Sequence, residues 1–138
     1  MAGSFCDYLE NGILNLYFGA TAFAAAGTHY IGICTGVTDA GVITGEPTSG
    51  GSYARVTKTN NKTTWSTATT GSLSNAVAIT FATCTTPDWG SGLDTFFISD
   101  SLAGATNTLV WGDLDTSKTI NIGYTAEFAI GALTISLD

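Results

Sequence analysis

From Thr28 onward the sequence consists of short apolar runs, rich in β-branched and aromatic residues, that are separated by Gly, Asn, Asp and Ser. Runs of this length and spacing are typical of β-strands joined by turns. They predict seven strands, at residues 29–35, 53–59, 76–82, 94–99, 108–113, 119–122 and 125–136. Because seven strands suffice for a sandwich, we predict a mainly β protein with a single, jelly-roll-like β-sandwich domain.

The last predicted strand, residues 125–136, carries apolar residues on both of its faces. Phe128 and Ile130 fall on one side, whereas Leu133 and Ile135 fall on the other. Strands that are covered on both faces have this composition, so the pattern predicts a central strand or one at an interface. Residues 36–52 and 60–74 are long, polar and rich in Gly and Thr, which predicts surface loops that contact partners.

Residues 4–19 are predicted to form the one helix of the protein. Ser4 and Asp7 resemble a capping box, and Gly19 is a suitable stop. The apolar residues that recur at helical spacing are Leu9, Ile13, Leu16 and Ala20. We therefore divide the chain into an N-terminal helix and arm, residues 1–27, and a β-sandwich domain, residues 28–138.

The predicted helix has more apolar surface than one side of a short surface helix needs. Tyr8, Tyr17 and Phe18 add three aromatic side chains to its apolar stripe. Either the core of the protein or a partner must cover this surface, since large apolar patches are rarely left in water.

Composition excludes several classes of partner. With 138 residues, of which 44% are hydrophobic, the chain is long enough for one domain with its own core. Its 11 acids and four bases give a net charge of -7, which argues against nucleic acid as a partner. The sequence has no apolar run of about 18 residues, so we expect no membrane span. Arg55, Lys58 and Lys62 lie close together in the sequence, and we interpret them as a solvated strand face.

The cysteines and the N-terminus indicate where the protein is made. Cys6, Cys34 and Cys84 are odd in number and lack metal-ligand spacing, which favours reduced thiols. The N-terminus has no basic segment and carries Asp7 and Glu10, unlike an export signal. We therefore expect assembly in the cytoplasm.

Residues that could carry catalysis are few. The single histidine, His29, adjoins a predicted strand, and we interpret it as structural. The sequence lacks the motifs of nucleophile elbows, zinc proteases and nucleotide-binding loops. Asp113 and Asp115 are the best candidates for a cation, but the spacing of a calcium loop is absent. We expect no enzyme, no cofactor and no bound metal.

Three tryptophans leave two interpretations open. Trp65, Trp89 and Trp111 are more typical of core packing in a small β domain than of carbohydrate stacking. Trp65 lies in a polar segment, TTWSTATT, whose neighbours show no core pattern. We therefore expect Trp65 to contact a partner.

Seven motifs are spread over nearly the whole chain. They are F-G-x-T-A-F at 18–23, H-Y-I-G-I-C-T at 29–35, G-G-S-Y-A-R-V at 50–56, A-I-T-F at 78–81, W-G-x-G-x-x-T-F-F-I-S-D-S at 89–101, L-V-W-G-D-L at 109–114 and A-I-G-A-L-T-I-S-L at 129–137. Together these motifs resemble a family of small tailed-phage virion proteins. Members are commonly tail-fibre-like or minor structural proteins, and some similar proteins are capsid cement proteins. Where members often have Pro after the strand that matches ICT, this chain has Gly36 and Val37.

The resemblance implies a structural protein of the virion. Our main hypothesis is a capsid cement or decoration protein that binds the major capsid protein as a homotrimer. The alternative is a tail- or fibre-associated structural protein, an adhesin that binds host glycan through Trp65 or Trp89. We expect neither nucleic acid nor membrane as a partner. The residues predicted to form the partner interface are Leu9, Ile13, Leu16, Tyr17, Arg55 and Trp65.

Overall fold

In the computed structural model, residues 3–104 and 107–137 are described; the N-terminal Met-Ala, residues 105 and 106, and the last residue lie outside the description. The described chain is mainly β with one helix, as predicted. The elements are β1 (Gly3–Phe5), α1 (Asp7–Phe18), β2 (Thr28–Cys34), β3 (Gly36–Val37), β4 (Ile43–Thr44), a 3-10 turn (Gly50–Ser52), β5 (Val56–Thr59), β6 (Ser72–Ser74), β7 (Ile79–Thr80), β8 (Gly90–Ser99), β9 (Thr108–Ile120), β10 (Glu127–Phe128) and β11 (Thr134–Ser136).

One five-stranded antiparallel sheet, in the order β1-β9-β8-β2-β5, organises the fold. Three two-stranded pairs accompany it, β10 with β7, β11 with β6, and β3 with β4. Side chains alternate across the large sheet, so Ile31 pairs with Ile98 on one face while Gly32 pairs with Phe97 on the other. The architecture is sandwich-like, because the pairs β10-β7 and β11-β6 pack against the first of these faces.

The first face of the sheet carries the larger hydrophobic core. Ile31, Phe96 and Ile98 of the sheet pack with Trp65, Ile79 and Leu133, which come from the segments of the second layer. A second core cluster contains Ile33, Tyr53, Phe81, Trp89 and Leu93. Burial of these side chains supplies the main driving force for folding, at roughly 1.5–3 kcal/mol for each large apolar group.

The N-terminal segment begins as a strand, and the predicted helix start at residue 4 is wrong. Residues 3–5 pair with residues 110–112 of β9, and Cys6 is the residue that precedes the first helical turn. No side chain caps this end of the helix, so the predicted capping box of Ser4 and Asp7 is also wrong. Pairing with β9 satisfies the backbone of residues 3–5 and therefore outweighs their local helical preference.

Three predicted strand boundaries are corrected. The predicted strands at 108–113 and 119–122 are one strand, β9, because pairing with β8 resumes at Lys118 and Ile120, beyond the polar residues 115–117. The predicted strand at 76–82 shrinks to β7. The predicted strand at 125–136 is broken at Gly131, whose φ of 78° belongs to a turn, so no central strand forms there.

All three cysteines are free and buried. Burial raises the pKa of Cys6 to about 11 and that of Cys34 to about 12. Both thiols therefore remain protonated at neutral pH and act as small apolar core groups, in agreement with the reduced state expected from their number.

Candidate interaction surface and cavity

α1 touches the rest of the protein along a narrow strip. Gly12 is buried because the ring of Phe23, from the arm after the helix, lies directly against it. The same ring makes an edge contact with Tyr8, with ring centroids 5.7 Å apart. Leu9 packs against the larger core. These contacts fix the helix through one side of its N-terminal half.

The C-terminal half of α1 presents large apolar side chains to water. Tyr17 is 77% exposed and Phe18 is 87% exposed. Leu14 and Leu16 are also exposed, and we call these four residues the helix patch. The helix ends without a basic residue in its last turn. Tyr17 and Phe18 come three and four residues after Leu14, so these three side chains are neighbours on one side of the helix, as expected of a surface that a partner covers.

A half-open cavity of about 700 Å³ lies beside the N-terminal half of α1. Its apolar wall includes Tyr8, Phe23 and Trp65, together with Leu73 of β6 and Ile135 of β11. Its polar residues are His29, Asn60, Asn61, Lys62 and Asp100. A cavity of this volume, with apolar walls and a few polar groups, has the character of a binding site.

Two aromatic residues of the cavity wall have unpaired polar atoms. The ring centroids of His29 and Trp65 lie 5.8 Å apart. His29 Nδ1 and Trp65 Nε1 are buried and have no hydrogen-bond partner. Burial lowers the pKa of His29 from its ordinary value of 6.5. The neutral imidazole is therefore the form that the fold accommodates.

We expect His29 to make stability fall in mild acid. In the unfolded chain His29 is protonated at its ordinary pKa, whereas in the folded protein it is protonated only at lower pH. The unfolding free energy therefore decreases as the pH drops below about 6.5. Denaturant titrations at about pH 7.5 and about pH 5.5 should show a larger loss for the wild type than for His29→Phe, which keeps an apolar ring but does not titrate. Equal losses in both proteins would contradict this prediction.

The predicted interface residues fall into two groups. Leu16 and Tyr17 belong to the helix patch, and Ile13 is partly exposed beside it. Leu9 is partly buried against the core. Arg55 and Trp65 are both 5% exposed, so their side chains are not available on the surface. Leu16 and Tyr17 are therefore the predicted interface residues that the structure leaves most exposed.

Arg55 is buried, so its interpretation as part of a solvated strand face is wrong. Its Nε and Nη2 atoms donate to the two carboxylate oxygens of Glu46, both at 2.8 Å. Its Nη1 atom donates to Ser99 Oγ at 3.1 Å and to the carbonyl of Ser101 at 2.9 Å. The guanidinium lies 4.8 Å from the centre of the Phe97 ring. Arg55 thus joins the loop before β5 to the second face of the sheet.

The indoles of Trp65 and Trp89 offer no exposed face to a sugar. Trp65 is in the larger core, where the polar segment around it folds back over the sheet. Trp89 is 6% exposed, and its Nε1 donates to the carbonyl of Gly51 at 2.7 Å. The geometry supports the core-packing interpretation and not glycan stacking on these two residues.

The rest of the described chain shows neither a metal-binding cluster nor a membrane-spanning helix. Across residues 3–104 and 107–137, no three His, Cys, Asp or Glu side chains form a group that could hold a metal ion. Asp115 lines a second cleft of about 400 Å³ together with Lys118 and Glu127. No helix in the described part of the chain is long and apolar enough to cross a membrane.

Sequence reasoning missed the cavity and the buried amide of Asn75. Asn75 Nδ2 donates to the carbonyls of Val77 and Ala129, both at 2.8 Å, and its Oδ1 accepts from the amide of Leu133 at 2.9 Å. The position of this polar residue directly before the apolar run at 76–79 was the one available signal. The cavity had no local signal, because its walls come from segments far apart in sequence.

Comparison with known families matches residues 4–136 to a family described as Podophage GP4 fiber I protein gp80. The match covers nearly the whole chain. No curated protein is significantly similar to it.

Proposed function

Because the chain belongs to the family of the podophage GP4 fiber I protein gp80, and is thus a structural component of a phage virion, we propose that it is a fibre subunit. Its helix patch is the surface through which it assembles. The family description favours the fibre alternative over the capsid cement role that we predicted as the main hypothesis. We propose a structural role for the chain and no catalytic one.

The exposed helix patch is the observation that carries this proposal. Tyr17 and Phe18 project from the end of α1 and contribute little to the folded monomer, since most of their surface stays in water. Covering a side chain of this size in an interface is worth roughly 1.5–3 kcal/mol. A subunit of a particle gains from such residues, whereas an isolated monomer does not.

The location in the particle can be measured directly. We expect mass spectrometry of purified virions, after heads and tails are separated, to find this chain with the tail fraction. Recovery with heads, in a copy number near that of the major capsid protein, would instead support the cement hypothesis and overturn the fibre proposal.

We expect the double variant Tyr17→Ser, Phe18→Ser to be lost from virions by at least about tenfold while its unfolding free energy stays within about 0.5 kcal/mol of the wild type. A matched control, Ile122→Ser with Ile130→Ser, removes two other exposed apolar side chains and should be incorporated normally. Truncating the N-terminus is a poorer test, because it also removes β1 from the sheet. Normal incorporation of the double variant would contradict an assembly role for the helix patch.

A further inference from the structure

We propose that Tyr17 and Phe18 of one copy insert into the cavity beside α1 of the next copy, so that the protein associates with itself head to tail. This inference rests on the proposed role of the helix patch as an assembly surface, and it names the partner of that surface as a second copy of this chain.

The inserted group and the cavity agree in size and chemistry. The cavity of about 700 Å³ is within the range of pockets that bury most of a drug-sized ligand, and the Tyr17 and Phe18 side chains together are smaller than such a ligand. The rings of Tyr8 and Phe23 in its wall suit edge and offset contacts with the incoming rings. Both surfaces are apolar, and each is left open in the single chain.

The rings cannot enter the cavity of their own chain. Tyr8 and Leu9, at the start of α1, form part of the cavity wall. Tyr17 and Phe18 lie nine residues further along the same helix, which is about 14 Å at 1.5 Å per residue. A projecting group and a matching cavity at different places on one molecule produce a heterologous contact, which closes into a ring or continues as a filament.

Charge also favours this pairing. The last carbonyls of α1 carry the negative end of the helix dipole, and the last turn has no basic residue to offset it. Lys62 is exposed and lies on the polar side of the cavity, where the end of an incoming helix would meet it. Its ammonium donates to the carbonyl of Ser66 at 3.2 Å, which leaves further donors for the partner.

The contact is large enough when the flanking residues are included. Tyr17 and Phe18 together bury roughly 300–500 Å² when enclosed. A stable interface needs about 800 Å² from each partner. Leu14, Leu16 and the exposed residues 20–22, directly after the helix, can supply the remainder.

Two variants of the full chain separate the two halves of this contact. Phe18→Ser removes the inserted ring, and Ala25→Trp fills the cavity from an exposed position on its wall. Ile130→Ser, at an exposed apolar residue outside the cavity lining, is the control. We expect the wild type and the control to self-associate in sedimentation velocity experiments, and each variant to associate at least about tenfold more weakly.

An equimolar mixture of the two variants decides the mechanism. Ala25→Trp retains its inserted ring and Phe18→Ser retains its cavity, so the mixture should form a one-to-one dimer and nothing larger. If Ala25→Trp assembles like the wild type, or the mixture stays monomeric, or the wild type itself stays monomeric, the inference is overturned. Loss of Phe18→Ser but not of Ala25→Trp from virions would leave the assembly role of the helix patch intact and refute the cavity as its partner.

A photo-crosslinking amino acid at position 18 gives an independent measurement that does not depend on a destabilising change. Crosslinks to Phe23 or to residues 60–62 of another copy would support the proposal. Crosslinks to α1 of another copy would show that helices pair symmetrically and would overturn it.

Discussion

Replacing Glu46 by alanine is expected to lower the free energy of unfolding by about 3 kcal/mol, because it removes the carboxylate that pairs with the buried guanidinium of Arg55. The Arg55 side chain is only 2% exposed, whereas that of Glu46 is 21% exposed. The carboxylate accepts two hydrogen bonds from Arg55 and a third from Tyr53 Oη, the last at 2.9 Å. Removing one partner of a buried pair is costly, since the remaining charge stays out of water.

Two comparisons test this assignment by denaturant unfolding. Glu127→Ala removes an exposed carboxylate that accepts one hydrogen bond, from Thr80, and should cost less than about 1 kcal/mol. The double variant Glu46→Leu, Arg55→Met should be more stable than Glu46→Ala alone, because both charges leave together. If Glu46→Ala and Glu127→Ala lower the unfolding free energy by the same amount, burial does not strengthen the ion pair of Arg55 and Glu46, and the prediction is wrong.

Replacing Asn75 by alanine is expected to cost about 2–4 kcal/mol, because three backbone groups lose their partner in the interior. These groups belong to Val77, Ala129 and Leu133, so the amide of one side chain joins the chain before β7 to the turn before β11. Asn75 is 1% exposed, and water cannot easily replace the lost bonds.

The matched control for Asn75 is Asn121→Ala, which removes the same amide from an exposed position and should change the unfolding free energy by less than about 0.5 kcal/mol. Thermal or denaturant unfolding of both variants gives the comparison. Equal stability of the two variants would contradict the structural role that we assign to the buried amide.

The sequence predicts those parts of the fold that local pattern determines. β2 and the second half of β8 are rich in apolar and β-branched residues, and the bounds of both strands were predicted to within four residues. β9 is longer than predicted, since its polar second half is held by pairing with β8 and not by its own composition. The segment after residue 125 has the apolar content of a strand, but Gly131 and the hydrogen bonds of Asn75 turn it back on itself.

The candidate site shows the same difference between residues placed by local pattern and residues placed by distant segments. Leu16 and Tyr17 were predicted from helical spacing, which is local, and the structure exposes them. Arg55 and Trp65 were misplaced because their burial depends on distant segments: Glu46 in the preceding loop for Arg55, and the second layer for Trp65. The cavity was not predictable at all, because no single segment contains more than a small part of its wall.

The burial of the three thiols has a consequence for the life of a particle that leaves its host. A virion protein is assembled in one redox environment and released into another. Thiol reactivity requires the thiolate, and the high pKa values of Cys6 and Cys34 keep that form scarce. We therefore expect the folded subunit to keep the same covalent state before and after the host cell lyses, with no disulfide to form in air and none to break inside the cell.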